Sequence, residues 1–254
     1  YRDEANRKLR RAISSDPLYK PANIMSGGTS IPRALVIQKD PESEVLDRIK
    51  TIAESNKQRY LTHYNWETAD MFEESPTKLD DPAQDYHLFL SMFNVADNIW
   101  IGDVKDSGRH PQNFRSAWDW KKLDEPIGQF TTGATYKLDT VSRSNDTVEH
   151  RVFLVVESDV LSKPEMGAVF QLMRDLFKMK LYAVVDTAGK SLHGWLEMPK
   201  QEWFDQLKAF LIPLGCDPAT FKPSQPVRMP GYLRRTYRRY SQTRTQRLVP
   251  HRTE

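Results

Sequence analysis

The chain contains 254 residues, of which 39% are hydrophobic, 11% aromatic and 28% charged, and this composition excludes a disordered or fibrous protein. Its single cysteine, Cys216, excludes an intramolecular disulfide and a cysteine-rich zinc site, which favours a reducing compartment. No apolar run approaches the roughly 20 residues of a membrane helix, and no signal-peptide pattern is present. We therefore expect a soluble, cytoplasmic protein with no membrane partner.

The net charge of +3 is unevenly distributed along the chain. Residues 228–254 contain eight arginines against one acid and carry +7, so residues 1–227 carry −4. Guanidinium groups match phosphates bidentately, so this end predicts a nucleic-acid-binding surface, with a solubilising tail as the alternative. The candidate nucleic-acid-binding residues lie in the segment 233–254 and are Arg234, Arg235, Arg238 and Arg239.

Residues 1–84 are predicted to form a helical N-terminal extension. Val45, Ile49 and Ile52 are spaced as one face of a helix over residues 42–56, and a polar stretch with prolines follows over residues 60–84. Residues 85–150 are predicted to form an N-terminal α/β module of the catalytic core. Its strands are predicted from aromatic and β-branched runs at residues 86–93, 98–103 and 129–136.

Residues 151–232 give the clearest pattern. An apolar strand over residues 152–156 precedes a capping box formed by Ser162 and Glu165, which predicts a helix. Two further runs, 181–185 and 191–198, predict a hairpin; a helix from Pro199 and a short last strand at 227–229 follow. The order β-α-β-β-α-β predicts an α+β class with a ferredoxin-like, RRM-like module: a four-stranded antiparallel sheet with two helices on one face.

Two carboxylates follow the first strand of this module. Glu157 and Asp159 stand at positions i and i+2, so both side chains point to the same side of the strand end. Oxygen ligands without thiolates suit Mg²⁺ or Mn²⁺ rather than zinc. A solvated rim or a cap is the alternative for this pair.

A second candidate site lies on the later hairpin. Gly189, Lys190, Ser191 and His193 together offer flexible backbone amides, a cation, a hydroxyl and an imidazole to a phosphate. The stretch lacks the leading glycine and the following helix of a P-loop, and a structural histidine beside Trp195 is the alternative. Since the first and third strands of the split unit are neighbours, Glu157, Asp159 and His193 are expected to meet on one sheet face.

These motifs resemble those of the archaeo-eukaryotic primase superfamily, the primase-polymerases, and especially its plasmid and phage branches. The resemblance covers roughly residues 98–235 and rests on three motifs: acid-x-acid at Glu157–Asp159, Ser-x-His at Ser191–His193, and the segment Val-Arg-Met-Pro-Gly at 227–231. It implies an archaeo-eukaryotic primase-like core, in which the N-terminal α/β module packs on the ferredoxin-like module and the active site lies in the cleft between them.

The family resemblance also implies the roles of the residues. The acidic motif holds the catalytic metals, the Ser-x-His strand binds the phosphates of the incoming nucleotide, and a third acid joins the metal site. The first acid here is Glu157, where the family usually has aspartate. Asp217 is the best placed candidate for the third acid, with an ordinary loop residue as the alternative.

The resemblance predicts the DNA primase/polymerase domain of a phage or plasmid replication protein, a metal-dependent nucleotidyltransferase. Glu157, Asp159 and His193 are its predicted catalytic residues, and Lys190, Ser191, His193 and Arg228 are its predicted nucleotide ligands. Single-stranded DNA template, nucleoside triphosphates and a replicative helicase domain or protein are the expected partners. The alternative is a catalytically weak module of the same fold that binds single-stranded or origin DNA. A rolling-circle nickase ranks last, because no His-x-His motif occurs.

Overall fold

A computed structural model describes residues 41–77, 82–103, 108–234, 244–245 and 247–250. Within these ranges the α-helices are α1 (Pro41–His63), α2 (Thr68–Glu74), α3 (Pro82–Leu90), α4 (Ala117–Trp120), α5 (Lys163–Asp175) and α6 (Gln201–Leu214). The strands are β1 (Asn98–Trp100), β2 (Phe114–Ser116), β3 (Phe130–Thr131), β4 (Ala134–Tyr136), β5 (Val148–Arg151), β6 (Phe153–Val156), β7 (Leu181–Asp186), β8 (Leu192–Glu197), β9 (Val227–Arg228), β10 (Leu233–Arg234), β11 (Arg244–Thr245) and β12 (Arg247–Pro250). The mixture of helices and antiparallel strands confirms the α+β class. None of the described helices is long and apolar enough to cross a membrane.

The main sheet has four antiparallel strands in the order β12-β7-β8-β6. The predicted strand, capped helix, hairpin and second helix are all present as β6, α5, β7–β8 and α6. The capping box also forms as predicted: the Ser162 hydroxyl accepts from the Glu165 N–H, and the Glu165 carboxylate accepts from the Ser162 N–H at 2.8 Å. Local sequence therefore determines this part of the fold.

The fourth strand of the sheet differs from the prediction. Strand β9 pairs with β3 outside the main sheet, and β12 completes the sheet on the opposite edge, beside β7. The outer edge of β6 is already occupied, because the N–H of Phe153 donates to the oxygen of Gly133 at 2.9 Å and Asp217 N–H donates to the oxygen of Glu157 at 2.8 Å. The ferredoxin-like strand order is thus present only in part.

Alternate side chains of a strand point to opposite sides of a sheet, and in β6, in β8 and in most of β7 the residues of both sides are buried. One face packs on α5, α6 and the predicted N-terminal extension α1, in a core that includes Leu154, Phe170 and Phe210. At the centre of β8, Gly194 allows close approach of α5, since a Cβ there would collide with the Phe170 ring. The other face carries Val155, Trp195 and residues of the N-terminal module.

The prediction of a strand over residues 86–93 was wrong, because most of this segment forms helix α3. Tyr86, Phe89, Leu90 and Phe93 stand at positions i, i+3, i+4 and i+7, and all four are buried in the second core. This helical spacing outweighs the strand preference of the aromatic residues. The strand predicted over residues 129–136 is divided into β3 and β4.

The structure can be compared with the predicted domain boundaries and, in part, with the predicted arginine-rich segment. The boundary predicted after residue 84 lies inside α3, and the one after residue 150 lies inside β5. Residues 1–40 lie outside the described part of the chain. In the arginine-rich segment the backbone is described for β10, β11 and β12, so Arg234 stands in β10, whereas Arg235, Arg238 and Arg239 lie outside the described residues.

Candidate functional site

A cleft of about 250 Å³ lies beside the carboxyl end of β6. It is lined by six of the predicted site residues: Glu157, Asp159, Lys190, Ser191, His193 and Arg228. Phe130, Thr187, Gly189, Pro226 and Val227 complete the lining. Three separate stretches of the chain therefore contribute the predicted residues to one cleft: the loop after β6, the β7–β8 turn with β8, and strand β9.

The acidic residues are positioned by a turn that follows β6. The hydroxyl of Ser158, which is buried, donates to the oxygen of Gly215 at 2.6 Å and accepts from the N–H groups of Val160 and Leu161 at 3.1 and 3.0 Å. This turn reverses the chain directly after the strand. As a result Glu157 lies half-buried in the cleft, while Asp159 lies exposed at its rim.

Glu157 and His193 form a hydrogen-bonded pair that is largely shielded from solvent. The antiparallel register that places Val156 opposite Gly194 brings the residue after Val156 beside the residue before Gly194, and Glu157 Oε2 lies 3.1 Å from His193 Nε2. Burial acts to raise the pKa of Glu157, but the hydrogen bond and charge of His193, together with the charge of Arg228, hold that pKa below its usual value. Glu157 is therefore ionised at neutral pH.

The second nitrogen of His193 has no protein partner in the described part of the chain. Nδ1 is buried and accepts or donates no hydrogen bond there, and the residue as a whole is only 4% exposed. A buried polar atom without a partner is costly, and it is often explained by a ligand or ordered water. His193 therefore has hydrogen-bonding capacity beyond its contact with Glu157.

The turn between β7 and β8 has a defined conformation. The Thr187 hydroxyl donates to the Ser191 oxygen at 2.7 Å, and the Ala188 N–H donates to the Asp186 carboxylate at 2.9 Å. Ala188 has φ of 56°, a left-handed conformation that most side chains disfavour. These bonds present Gly189, the exposed Lys190 and Ser191 to the cleft.

Strands β3 and β9 form another part of the cleft wall. Their pairing sets Phe130 opposite Arg228, whose guanidinium carbon lies 4.4 Å from the Phe130 ring centre. Arg228 Nη1 also donates to the side-chain oxygen of Gln129 at 2.7 Å. The sequence predicted Arg228 as a site residue but assigned no role in the site to Phe130, Gln129 or Thr187. The aromatic strand pattern around residue 130 was visible, but nothing local showed which strand it would pair with.

The structure does not bring Asp217 into the cleft. Its carboxylate accepts from the Ala219 N–H at 2.8 Å and caps the short 3₁₀ helix Pro218–Phe221. Among the described residues there is no group of three or more histidine, cysteine, aspartate or glutamate side chains placed to hold a metal ion. Two carboxylates in one cleft nevertheless fit a Mg²⁺ or Mn²⁺ ion, because Mg²⁺ usually keeps several waters and binds through one or two carboxylates plus substrate phosphates.

Comparison with known proteins gives no family assignment for the chain. No protein-family model, no curated protein and no solved structure matches it. The interpretation of the cleft therefore depends on its own residues.

Proposed function

We propose that this chain is a DNA primase/polymerase domain of a phage or plasmid replication protein and transfers nucleotides by a metal-dependent, template-directed reaction. The convergence of Glu157, Asp159, Lys190, Ser191, His193 and Arg228 on one cleft carries the proposal. Carboxylates for a divalent cation and donors for phosphates are the two groups that nucleotidyl transfer requires, and both line this cleft.

The residues have distinct roles in this proposal. Glu157 and Asp159 would hold Mg²⁺ or Mn²⁺, which when bound would activate a 3′-hydroxyl and neutralise the leaving pyrophosphate. Lys190 and Ser191 bind the triphosphate from the turn, where Lys190 is exposed and able to follow the phosphates. His193 lines the cleft and contacts Glu157 through Nε2, and its second ring nitrogen, which has no partner among the described residues, would serve the phosphate.

Arg228 contributes positive charge from the other wall. Its stacking on Phe130 and its bond to Gln129 hold the guanidinium in place, so that it loses little freedom when it meets a phosphate. The arginines of the C-terminal segment would contact the single-stranded template, and a replicative helicase domain or protein would be the functional partner.

A binding module without strong catalysis is the second candidate. Two observations favour it: the Glu157–His193 contact engages both a metal ligand and a phosphate ligand, and Asp217 serves as a helix cap rather than as a third acid. Such a module would use the same surface to bind single-stranded or origin DNA.

A primer-synthesis assay on single-stranded DNA tests the two candidates, with Mg²⁺ or Mn²⁺ and with ribonucleotides and deoxynucleotides in turn. We expect incorporation by the wild type and a loss of more than about a hundredfold in Asp159→Asn, which removes a carboxylate charge from an exposed position without disturbing the core. Asp124→Asn makes the same change at an exposed site that does not line the cleft and should keep full activity.

Two outcomes would contradict the enzyme assignment. Wild-type activity in Asp159→Asn would show that the acidic motif is not needed for catalysis. Absence of triphosphate binding by the wild type with either metal, together with retained DNA binding, would favour the binding module.

A further inference from the structure

An ion pair joins the start of α5 to the end of β7, next to the two loops that carry the candidate site. Lys163 Nζ lies 2.8 and 2.7 Å from the two carboxylate oxygens of Asp186. The two side chains are only 28% and 18% exposed, so water screens this pair less than a surface pair. Neither residue lines the cleft. The pair is therefore adjacent to the site without belonging to its contact surface.

Asp186 supports the phosphate-binding turn directly. The carboxylate oxygen that meets Lys163 also accepts the Ala188 N–H at 2.9 Å, and Ala188 is the residue in the left-handed conformation. Loss of this carboxylate would leave the strained backbone of the turn with less support. The direction in which Lys190 and Ser191 are presented thus depends on Asp186.

Lys163, the other partner of the ion pair, stands close to the acidic loop. It is the first residue of α5, and only three residues separate it from Asp159. The Ser162 capping box and the Ser158 turn hold this short segment at both ends. A displacement of Lys163 would therefore be transmitted to Asp159.

We propose that Lys163 and Asp186 are positioning residues that fix the spacing between the acidic loop and the phosphate-binding turn. The inference rests on the proposed function, in which a metal-bound triphosphate must contact both loops at once. A shift of about 1 Å between groups that act together can cost about a hundredfold in rate, so a link outside the contact surface can still control the reaction.

The test compares Lys163→Met and Asp186→Asn with the wild type in nucleotide incorporation and in direct binding of Mn²⁺ and of a fluorescent nucleoside triphosphate. We expect the KM for nucleotide to rise roughly tenfold in each variant, as for the loss of other outer partners of a site. The affinity for Mn²⁺ alone should stay within about twofold, because Glu157 and Asp159 stand in one loop held by Ser158 and move together relative to the phosphate-binding turn. Asp186→Asn retains a side-chain oxygen that can accept the Ala188 N–H. It therefore tests the positioning role even if Lys163→Met does not fold.

Two further variants separate positioning from a general effect on the fold. Lys50→Met breaks a more exposed Lys–Asp contact, to Asp47 on α1, and should leave the KM unchanged. Lys163→Arg keeps the charge and should restore most of the nucleotide affinity. A normal KM in folded Lys163→Met or Asp186→Asn, or failure of Lys163→Arg to improve on Lys163→Met, would overturn the positioning role alone. A wild type that binds no triphosphate would overturn the proposed function and this role with it.

Discussion

The hydrogen-bonded pair of Glu157 and His193 provides the most informative single perturbation. His193→Ala removes one partner of a pair whose side chains are 13% and 5% exposed, and leaves the Glu157 carboxylate without it. Breaking a buried pair in this way costs about 3–5 kcal/mol. Because the charge of Arg228 still favours ionised Glu157, we expect the lower end, about 3 kcal/mol. For a domain of this size such a loss lowers the Tm by roughly 6–12 °C.

The size of this loss should depend on pH. In the wild type the pKa of Glu157 lies below its ordinary value of 4.5, so the stabilisation is complete above that pH and is lost as the pH falls through the lower pKa of the folded state. In His193→Ala, burial becomes the largest remaining influence and raises the pKa of Glu157. As the pH falls, Glu157 of the variant takes up a proton and its buried charge is removed. The difference in unfolding free energy between the variant and the wild type should therefore shrink from pH 6 towards about pH 4.

Thermal and denaturant unfolding of the metal-free protein across this pH range measures the effect. The control is the double variant Glu157→Gln/His193→Ala, which also removes the unpaired charge and should recover most of the lost stability at neutral pH. Equal stability of the single and double variants at pH 7, or a deficit that does not change with pH, would refute the reasoning.

The same variant distinguishes a phosphate ligand from a structural histidine. Hydrogen bonds to charged groups contribute roughly 1.5–3 kcal/mol, so loss of His193 should weaken triphosphate binding about tenfold to a hundredfold. Binding is best measured at a temperature well below the lowered Tm, with DNA binding as the reference. Parallel losses of nucleotide and DNA binding would indicate a structural role, whereas a selective nucleotide defect is the expected result.

Three further predictions concern the turn, the sheet and the C-terminal segment. Lys190→Ala should weaken triphosphate binding about tenfold with an unchanged Tm, because Lys190 is exposed; equal affinities in a titration would contradict its role. Gly194→Ala should cost about 1–3 kcal/mol in denaturant unfolding through collision with Phe170, whereas Gly108→Ala, with room for a Cβ, should not. Binding to single-stranded DNA should weaken with salt at a slope of about −0.7 per phosphate contact. That slope should flatten when alanine replaces Arg234, Arg235, Arg238 and Arg239. An unchanged slope would exclude these four arginines from the interface.

Local patterns in the sequence were sufficient for the strand–helix–hairpin–helix part of the main sheet. The capping box at Ser162 depends on residues three positions apart, and the alternation along β8 depends on neighbours two positions apart. Such signals do not require knowledge of the rest of the chain. They also explain why Glu157 and His193 could be placed on the same sheet face before their contact was known.

Other signals were present in the sequence but outweighed by a competing preference. The aromatic residues of α3 favour a strand individually, yet their spacing fits a helix, and burial of Tyr86 and Phe89 in the second core decides the outcome. Asp217 directly precedes Pro218, and an aspartate before a proline also fits a helix cap. The cap is what the structure shows.

The chemistry of the candidate site was visible in the amino-acid sequence: two acids after one strand, and a lysine, serine and histidine on another. Which strands pair was visible only in the fold, because the backbone groups that pair are the same in every strand. It placed β12 rather than β9 in the main sheet and paired β9 with β3, which brought Arg228 and Phe130 to the cleft. The Lys163–Asp186 pair likewise joins residues 23 positions apart, and it exists because the start of α5 packs beside the end of β7.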